Sequence, residues 1–392
     1  MERIPLKHNA TGQGLILTSM AMLALGAVMV HSAIASLNNP RPFFESVDVR
    51  HTFFAVAALA VLVTFWRIDY RVFAWRGRFP LLVGGLLALS MVCAALVYVK
   101  GIGHTVGTDA RWIRLGFIQF QPSEMVKFSL VLFLASWLSR ETTNVRSYFK
   151  TFVPAAALIG ICVMLVIKED FSTGALVALV ASVTLFLAGT PIWHFLTLLP
   201  PSAAAVYMLV IHTPHRMARL VAFLDPWDLT NDSTYQPRQA LLAILNGGWT
   251  GMGPGGGSIK YGYLPEDTTD FIFAIFCEEW GAIGAMLLIG LVGMYAWHAR
   301  KAAINAPDRF GQLMVSSLSV VILGAALMHM GVVTAVLPVT GQGFPFVSAG
   351  GTALLMTAAA TALMVSVSAR KLEGDESLSV AGAMTPKLAS TK

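Results

Sequence analysis

Apolar residues run along this chain in long unbroken stretches, with neither the stripe of an amphipathic surface helix nor the alternation of a half-buried strand. The stretches fall near 15–36, 52–66, 80–99, 123–138, 152–167, 171–189, 192–212, 269–297, 313–337 and 347–368. Each approaches the roughly 20 apolar residues that an α-helix needs to cross a bilayer. The pattern therefore predicts an all-α polytopic membrane protein of about ten transmembrane helices. The first stretch follows Arg3 and Lys7 and contains Ala33-Ile34-Ala35, which imitates a signal-peptidase site. Its apolar core exceeds the roughly 7–15 residues of a signal peptide, so it is expected to be retained.

The polar segments between the stretches set an orientation. Arg67, Arg71, Arg76 and Arg78 follow the second stretch, Arg140, Arg146 and Lys150 the fourth, and Arg300, Lys301 and Arg309 the eighth. With ten spans all three segments fall on the side of both termini, which the positive-inside rule makes cytoplasmic. Residues 213–268, between helices 7 and 8, then form a large extracytoplasmic loop. Lys100, Arg111 and Arg114 stand between spans 3 and 4, against the rule. Basic residues placed there suit an anionic ligand, and equally a few stray cations.

Composition agrees with this picture. The 392 residues are 56% hydrophobic and 12% charged, which nearly excludes a water-soluble monomer. Residues 1–371 read as one integral membrane domain, and 372–392 as a polar, disordered cytoplasmic tail. The net charge of +6 would suggest nucleic acid in a soluble chain. Here it reflects cytoplasmic loops, and no nucleic-acid partner is expected. Cys93, Cys162 and Cys277 lie far apart inside apolar runs, as packing residues and not as a disulfide framework or zinc site. No matched pair of broken helices suggests an inverted-repeat transporter.

Ionisable residues at membrane depth are functional candidates. Glu124 and Lys127 open the fourth span three apart, on one helical face, as a neutralised helix-start pair or as part of a site. Asp170 is an N-cap for the sixth span or a site residue. Glu278 and Glu279 lie two turns into the eighth span, where an unpaired couple would be prohibitive, so at least one must meet a polar cavity, a partner charge or a proton. The glycine-rich stretch 246–258 lacks the lysine and helix of a phosphate loop and reads alone as a flexible or tightly turned outer loop. Thr269-Asp270 fits either the capped start of the eighth span or a catalytic carboxylate at the outer surface. Leu337-Pro-Val-Thr-Gly341 and Pro345-Phe-Val-Ser-Ala-Gly-Gly351 bracket an outer turn whose glycines permit close approach.

In combination these segments resemble the SEDS family (shape, elongation, division and sporulation), FtsW/RodA type. The resemblance rests on Ala110-Arg111-Trp112-Ile113 with Gln121-Pro122-Ser123-Glu124 and Lys127; on Arg219 through Asp225-Pro226-Trp227; and on Tyr235-Gln236 leading to Gly247-Gly248 and Gly251-x-Gly253. It continues through Leu264-Pro265-Glu266, Thr269-Asp270-Phe271-Ile272-Phe273-Ala274, Glu278-Glu279 and Pro345 with Ser348-x-Gly350-Gly351, in the family's order. The stretches Val30-His31-Ser32-Ala33 and Gly331-Val332-Val333-Thr334 look closer to the FtsW branch. Departures are Glu169-Asp170 for Pro-Asp, Phe171-Ser172-Thr173 for Leu-Gly-Thr, His329-Met330-Gly331 where an Asn is usual, and Ala349 where an aromatic is common.

The resemblance implies a peptidoglycan glycosyltransferase of the bacterial cytoplasmic membrane that polymerises lipid II, in division or elongation. Asp270 is then the candidate general base. Arg111, Lys127 or Arg219, or a divalent cation (Mg or Mn) held by a carboxylate, would offset the leaving pyrophosphate, although no all-protein metal cage is visible. Glu124 would hold Lys127, while Asp170, Glu266, Ser348, Gly350 and Gly351 complete the expected substrate-binding set. The implied partners are a class B penicillin-binding protein, the transpeptidase, and other divisome or elongasome membrane proteins. A lipid II flippase and a non-catalytic scaffold remain the alternative readings.

Overall fold

The computed structural model describes residues 4–34, 46–75, 81–99, 103–106, 109–115, 118–168, 170–259, 264 and 268–370. The expected tail at 372–392 and Glu266 lie outside the described residues. The helices are α1 (Ala10–Ile34), α2 (Val47–Phe65), α3 (Leu81–Leu96), α4 (Pro122–Leu138), α5 (Val153–Ile167), α6 (Phe171–Leu187), α7 (Ile192–Leu196), α8 (Leu199–Ile211), α9 (Pro214–Leu224), α10 (Tyr235–Gly247), α11 (Ile272–Ile304), α12 (Arg309–Val333) and α13 (Gly351–Ser368). Seven helical segments among the described residues are long and apolar enough to cross a membrane: Ala10–Ile34, Val47–Phe65, Tyr148–Ile167, Ile192–Ile211, Ile272–Ile304, Arg309–Val333 and Gly351–Ser368. Leu81–Leu96 and Phe171–Leu187 are shorter apolar helices. This is a mostly helical, multi-pass membrane protein.

Helix α4 is buried along nearly its whole length and packs on α3, α6 and α12; α13 packs on α2, and α1 on α11. Around this core the outward faces stay apolar. Leu81, Phe149, Leu199, Met208 and Leu287 are all more than 60% exposed, a surface no aqueous monomer carries at this extent. It suits acyl chains, because lipid demands that only the backbone be satisfied internally.

The bundle has two distinct polar ends. At one, Ile4 N–H donates to the Ala369 carbonyl at 2.8 Å, Arg309 to the Ala188 carbonyl at 2.8 Å, and the Tyr70 hydroxyl to Asp308 at 2.7 Å. Arg370 meets Asp69 there at 3.6 Å, and the Arg140 guanidinium lies 4.6 Å over the Trp75 ring. The segments after α2, α4 and α11 are thus brought together. Burial, then the hydrogen bond to Asp308, hold the Tyr70 hydroxyl protonated far above its ordinary range.

The opposite end departs from the sequence reading in three places. The fold is not all-α: β1 (Gly103–Val106), β2 (Asp109–Leu115) and β3 (Ile118–Phe120) form an antiparallel sheet in the order β1-β2-β3. Val106 stands opposite Asp109 and Leu115 opposite Ile118. β1 and β3 hold only four and three residues, and in the seven residues of β2 the alternation breaks at Trp112-Ile113. Residues 213–268 carry the helices α9 and α10, and α10 packs on α11.

The third departure concerns α11 and the glycine-rich stretch. The helix breaks at Gly281, whose φ of 64° and ψ of −167° are foreign to residues with a Cβ. Across the break, Met252 N–H donates to the Glu278 carbonyl (2.9 Å), Gly253 N–H to Glu279 (3.0 Å) and Ala282 N–H to Gly248 (2.9 Å). The loop therefore satisfies the helix's interrupted ladder and is a tightly bound element. Glu278 accepts from Ser258 N–H and Oγ at 3.0 Å each and from Ile259 N–H at 3.3 Å, and Glu279 from Ser32 Oγ at 2.6 Å. Both glutamates are fully buried. They serve as anchors for the loop and for α1, the polar surroundings that burial of two carboxylates required.

A Cβ at Gly281 would lie 2.4 Å from Gly251 N and 2.6 Å from the Trp249 carbonyl. Gly281→Ala should therefore lose more than the roughly 1–3 kcal/mol of the dihedral alone. Thermal unfolding in detergent is the check, and an unchanged midpoint would contradict the stitched-loop account.

Candidate active site

The site forms where the sheet, the turn before α11 and the segment between α12 and α13 meet. Strand β2 carries Arg111. Gly341 fixes the meeting point: a methyl there would lie 3.1 Å from Arg111 Nη1 and 3.5 Å from Asp270 Oδ2. The guanidinium and the carboxylate, 159 positions apart in sequence, thus flank one glycine.

Asp270 is not the cap of α11. The helix starts at Ile272 with Phe271 at the cap position, and the Phe271 side chain makes no capping bond. The turn bearing Asp270 is held from the other side: Ser348 Oγ donates to the Thr269 carbonyl at 2.6 Å, Ala349 N–H to Thr268 at 2.9 Å, and Phe344 N–H to Ser348 Oγ at 2.7 Å. Ser348 therefore clamps the turn. Neighbouring Val347 reaches α1, where a methyl on Gly26 would lie 2.6 Å from its carbonyl. Gly26 stands eight residues before the end of α1 at Ile34, about 12 Å along the axis. The Asp270 turn is thus recessed into the bundle.

Asp170 does cap α6. Its Oδ1 accepts from Thr173 N–H (3.0 Å) and Ser172 Oγ (2.8 Å), and its Oδ2 from Thr173 Oγ1 (2.7 Å). It is 3% exposed and also lines a narrow crevice with Arg111 and Ser123, walled by Ala94, Val97 and Leu165. The cap and site readings of Asp170 are compatible.

Glu124 and Lys127 form a buried ion pair at 2.8 Å, at 6% and 5% exposure, one turn from Ser123. Arg219 is exposed on α9, which packs on α8 and the turn at 232–234. It is not brought to Arg111. Gly350 is the cap residue of α13. A methyl on Gly351 would lie 2.7 Å from the Phe54 ring, so Gly351 allows α13 and α2 to approach and does not line the crevice. Among the described residues no group of three or more His, Cys, Asp and Glu is placed to hold a metal ion.

Residues 13–373 match the family model of the FtsW, RodA and SpoVE proteins, described as cell cycle proteins. The chain belongs to this family. The probable peptidoglycan glycosyltransferase FtsW of Thioalkalivibrio sulfidiphilus is 37% identical over 367 residues, 92% of this chain and 90% of that protein. Stage V sporulation protein E of Bacillus subtilis is 32% identical over 90% of this chain and 96% of its own. A solved chain from work on the coordination of polymerization and crosslinking by a peptidoglycan synthase complex superposes with a TM-score of 0.74 at 26% identity, covering 91% of this chain and 97% of that one.

In this FtsW/RodA/SpoVE protein the structure adds residues that motif reading passed over. Gln342 is 5% exposed, and its Nε2 donates to Thr173 Oγ1. Its carbonyl faces His329 Nδ1 at 2.8 Å. Arg216 donates to the Lys168 carbonyl at 2.8 Å and ties α9 to the end of α5. An amide set between two glycines, Gly341-Gln342-Gly343, is a sequence signal that points to the first of these.

Proposed function

We propose that this chain is a peptidoglycan glycosyltransferase that polymerises lipid II at the outer face of the bacterial cytoplasmic membrane. The observation that carries the reading is the convergence of Asp270 and Arg111 on Gly341, within a chain whose family relatives are named for this activity. The 4-hydroxyl of one sugar attacks the anomeric carbon of another lipid II molecule. The new oxygen–carbon bond forms as the bond from that carbon to the pyrophosphate breaks, and the electron pair leaves with undecaprenyl pyrophosphate. Asp270 takes the hydroxyl proton, a role contributing on the order of 10²–10⁴ in rate. Arg111, pointed at the same position, offsets charge developing on the pyrophosphate.

Lys127, its ammonium buried against Glu124, stands one helical turn after Ser123 of the crevice and adds positive charge on that side of the site. The three basic segments gathered at one end of the bundle support a cytoplasmic assignment for that end under the positive-inside rule. On this reading ten segments cross, α7 and α8 acting as one, both termini are cytoplasmic, and residues 213–268 are outside. Residues 1–371 then form one membrane domain with a polar tail. A Cys introduced at Ser233, with native thiols removed, should react with impermeant reagents only from the outer side. Reaction solely from the cytoplasm would reverse the topology.

The class B penicillin-binding protein of the same cell is the proposed partner, its single span lying on the exposed apolar helix faces. Reconstituted chain given fluorescent lipid II, with and without that protein, is the functional test. Growth of glycan, faster with the partner, is expected. Redistribution of lipid II between leaflets without growth would favour a flippase, and neither effect a scaffold.

A further inference from the structure

Between α12 and α13 the chain holds both acidic residues of the site at once. Residues 341–343 run past it with successive contacts on different sides: Gly341 against Arg111 and Asp270, Gln342 toward α6 and α12, and Gly343 against Ser348. Gln342 Nε2 donates to Thr173 Oγ1, and the Thr173 hydroxyl has one proton, which it gives to Asp170 Oδ2 at 2.7 Å. The hydroxyl thus accepts from the amide and donates to the carboxylate, a directional chain with each member used once. On the other flank, His329 Nδ1 meets the Gln342 carbonyl at 2.8 Å, and the His329 ring lies edge-on to Phe344 with centroids 5.4 Å apart. Phe344 stacks in turn on Phe273, in the first turn of α11. Ser348 and Ala349 complete the grip through the carbonyls of Thr269 and Thr268.

The segment therefore grips Asp170 at one point and the Asp270 turn at another. Its backbone is held in shape by two non-glycine residues with positive φ, Ala335 (54°) and Phe346 (66°), a conformation that persists only where surrounding contacts over-determine it. Phe346 is fully buried.

We propose that Gln342 and Thr173 are positioning residues: together they set the placement of Gly341, and with it the spacing of Asp270 and Arg111 from the Asp170 crevice. Neither touches the reacting atoms. Their effect is on the geometry of proton transfer, where a misplacement of about 1 Å can cost on the order of 10²-fold in rate. The inference rests on the polymerase reading above, and it assigns specific work to a buried amide and hydroxyl.

The test uses the full chain reconstituted in lipid with its penicillin-binding protein, and measures kcat and KM for lipid II. Gln342→Leu removes the donor at similar volume, Thr173→Val exchanges one hydroxyl for one methyl, and Thr173→Ser keeps the hydroxyl. Each of the first two should lower kcat by on the order of 10-fold or more while leaving KM within about threefold, since the lost interaction acts on the transition state and not on binding. Thr173→Ser should stay within about twofold of the parent. The double variant Gln342→Leu/Thr173→Val should be no slower than the slower single, because both cut the same chain. Folded single variants with parental kcat, losses confined to KM, or losses that multiply in the double variant would overturn the proposal. If Gln342→Leu does not fold, the contrast between Thr173→Val and Thr173→Ser decides the matter by the same criteria. An Asp270→Asn arm separates the two levels: an active parent, a dead Asp270→Asn and a parental Gln342→Leu would refute the clamp alone. An inactive parent would refute the polymerase reading and the clamp with it.

Discussion

Asp270→Asn should reduce glycan polymerisation by at least about 10²-fold while leaving folding and lipid II binding intact. Asparagine keeps the volume and an acceptor oxygen but cannot take the sugar's proton. The alternative role that Asn would fill equally well is that of a helix cap, and the cap position of α11 belongs to Phe271. A fall in rate therefore reports chemistry. Asp270→Glu should also fail, since it carries the carboxylate about one bond length past a point fixed by Gly341 and Arg111, and proton abstraction demands a hydrogen-bond reach of about 3 Å. A well-folded Asp270→Asn protein within a few-fold of the parent would shift the base to Glu266 or Asp170.

The second large effect is expected at the start of α4. Lys127→Ala leaves Glu124, 6% exposed, as an uncompensated buried carboxylate, a change that costs about 3–5 kcal/mol where pairs of this kind have been broken. Thermal stability and polymerisation should fall together. The double variant Glu124→Ala/Lys127→Ala removes both charges and should cost clearly less than the sum of the two singles. Strict additivity in a double-mutant cycle would remove the pair from the account and leave two independent charges.

Those features that hydropathy and local spacing control were legible in the sequence. The apolar runs carry helices, the run 192–212 two of them, α7 and α8, because in lipid the outward face needs no polar pattern and helix formation alone satisfies the backbone. The Glu124–Lys127 contact and the Asp170 cap follow from i to i+3 geometry within a single helix turn. What escaped was set by contacts distant in sequence. The break at Gly281 lies in a run that reads as continuous helix, and loop donors at 252 and 253 with loop acceptors at 248 and 249 make it stable. Glu278 and Glu279 announced a need for partners, but those partners include backbone N–H groups of 258 and 259 and the hydroxyls of Ser258 and Ser32, which no local pattern marks. Strand β2 carries two adjacent apolar residues, Trp112-Ile113, that break its alternation, so it did not stand out as a strand. Asp270 and Arg111 were each picked out by motif, yet their meeting at Gly341, and Gln342's hold on Thr173, exist only in the fold.

Formation of glycosidic bonds from lipid II is the activity on which every role above depends. Its most direct test counts bonds made against carriers released. Purified full-length chain, reconstituted with its penicillin-binding protein and given lipid II labelled in the sugar and in the undecaprenyl chain, should yield strands of increasing length. One undecaprenyl pyrophosphate should be released for each linkage, and the Asp270→Asn protein should yield neither. Carrier released without lengthening, or no product from a folded parent under the same conditions, would contradict the account.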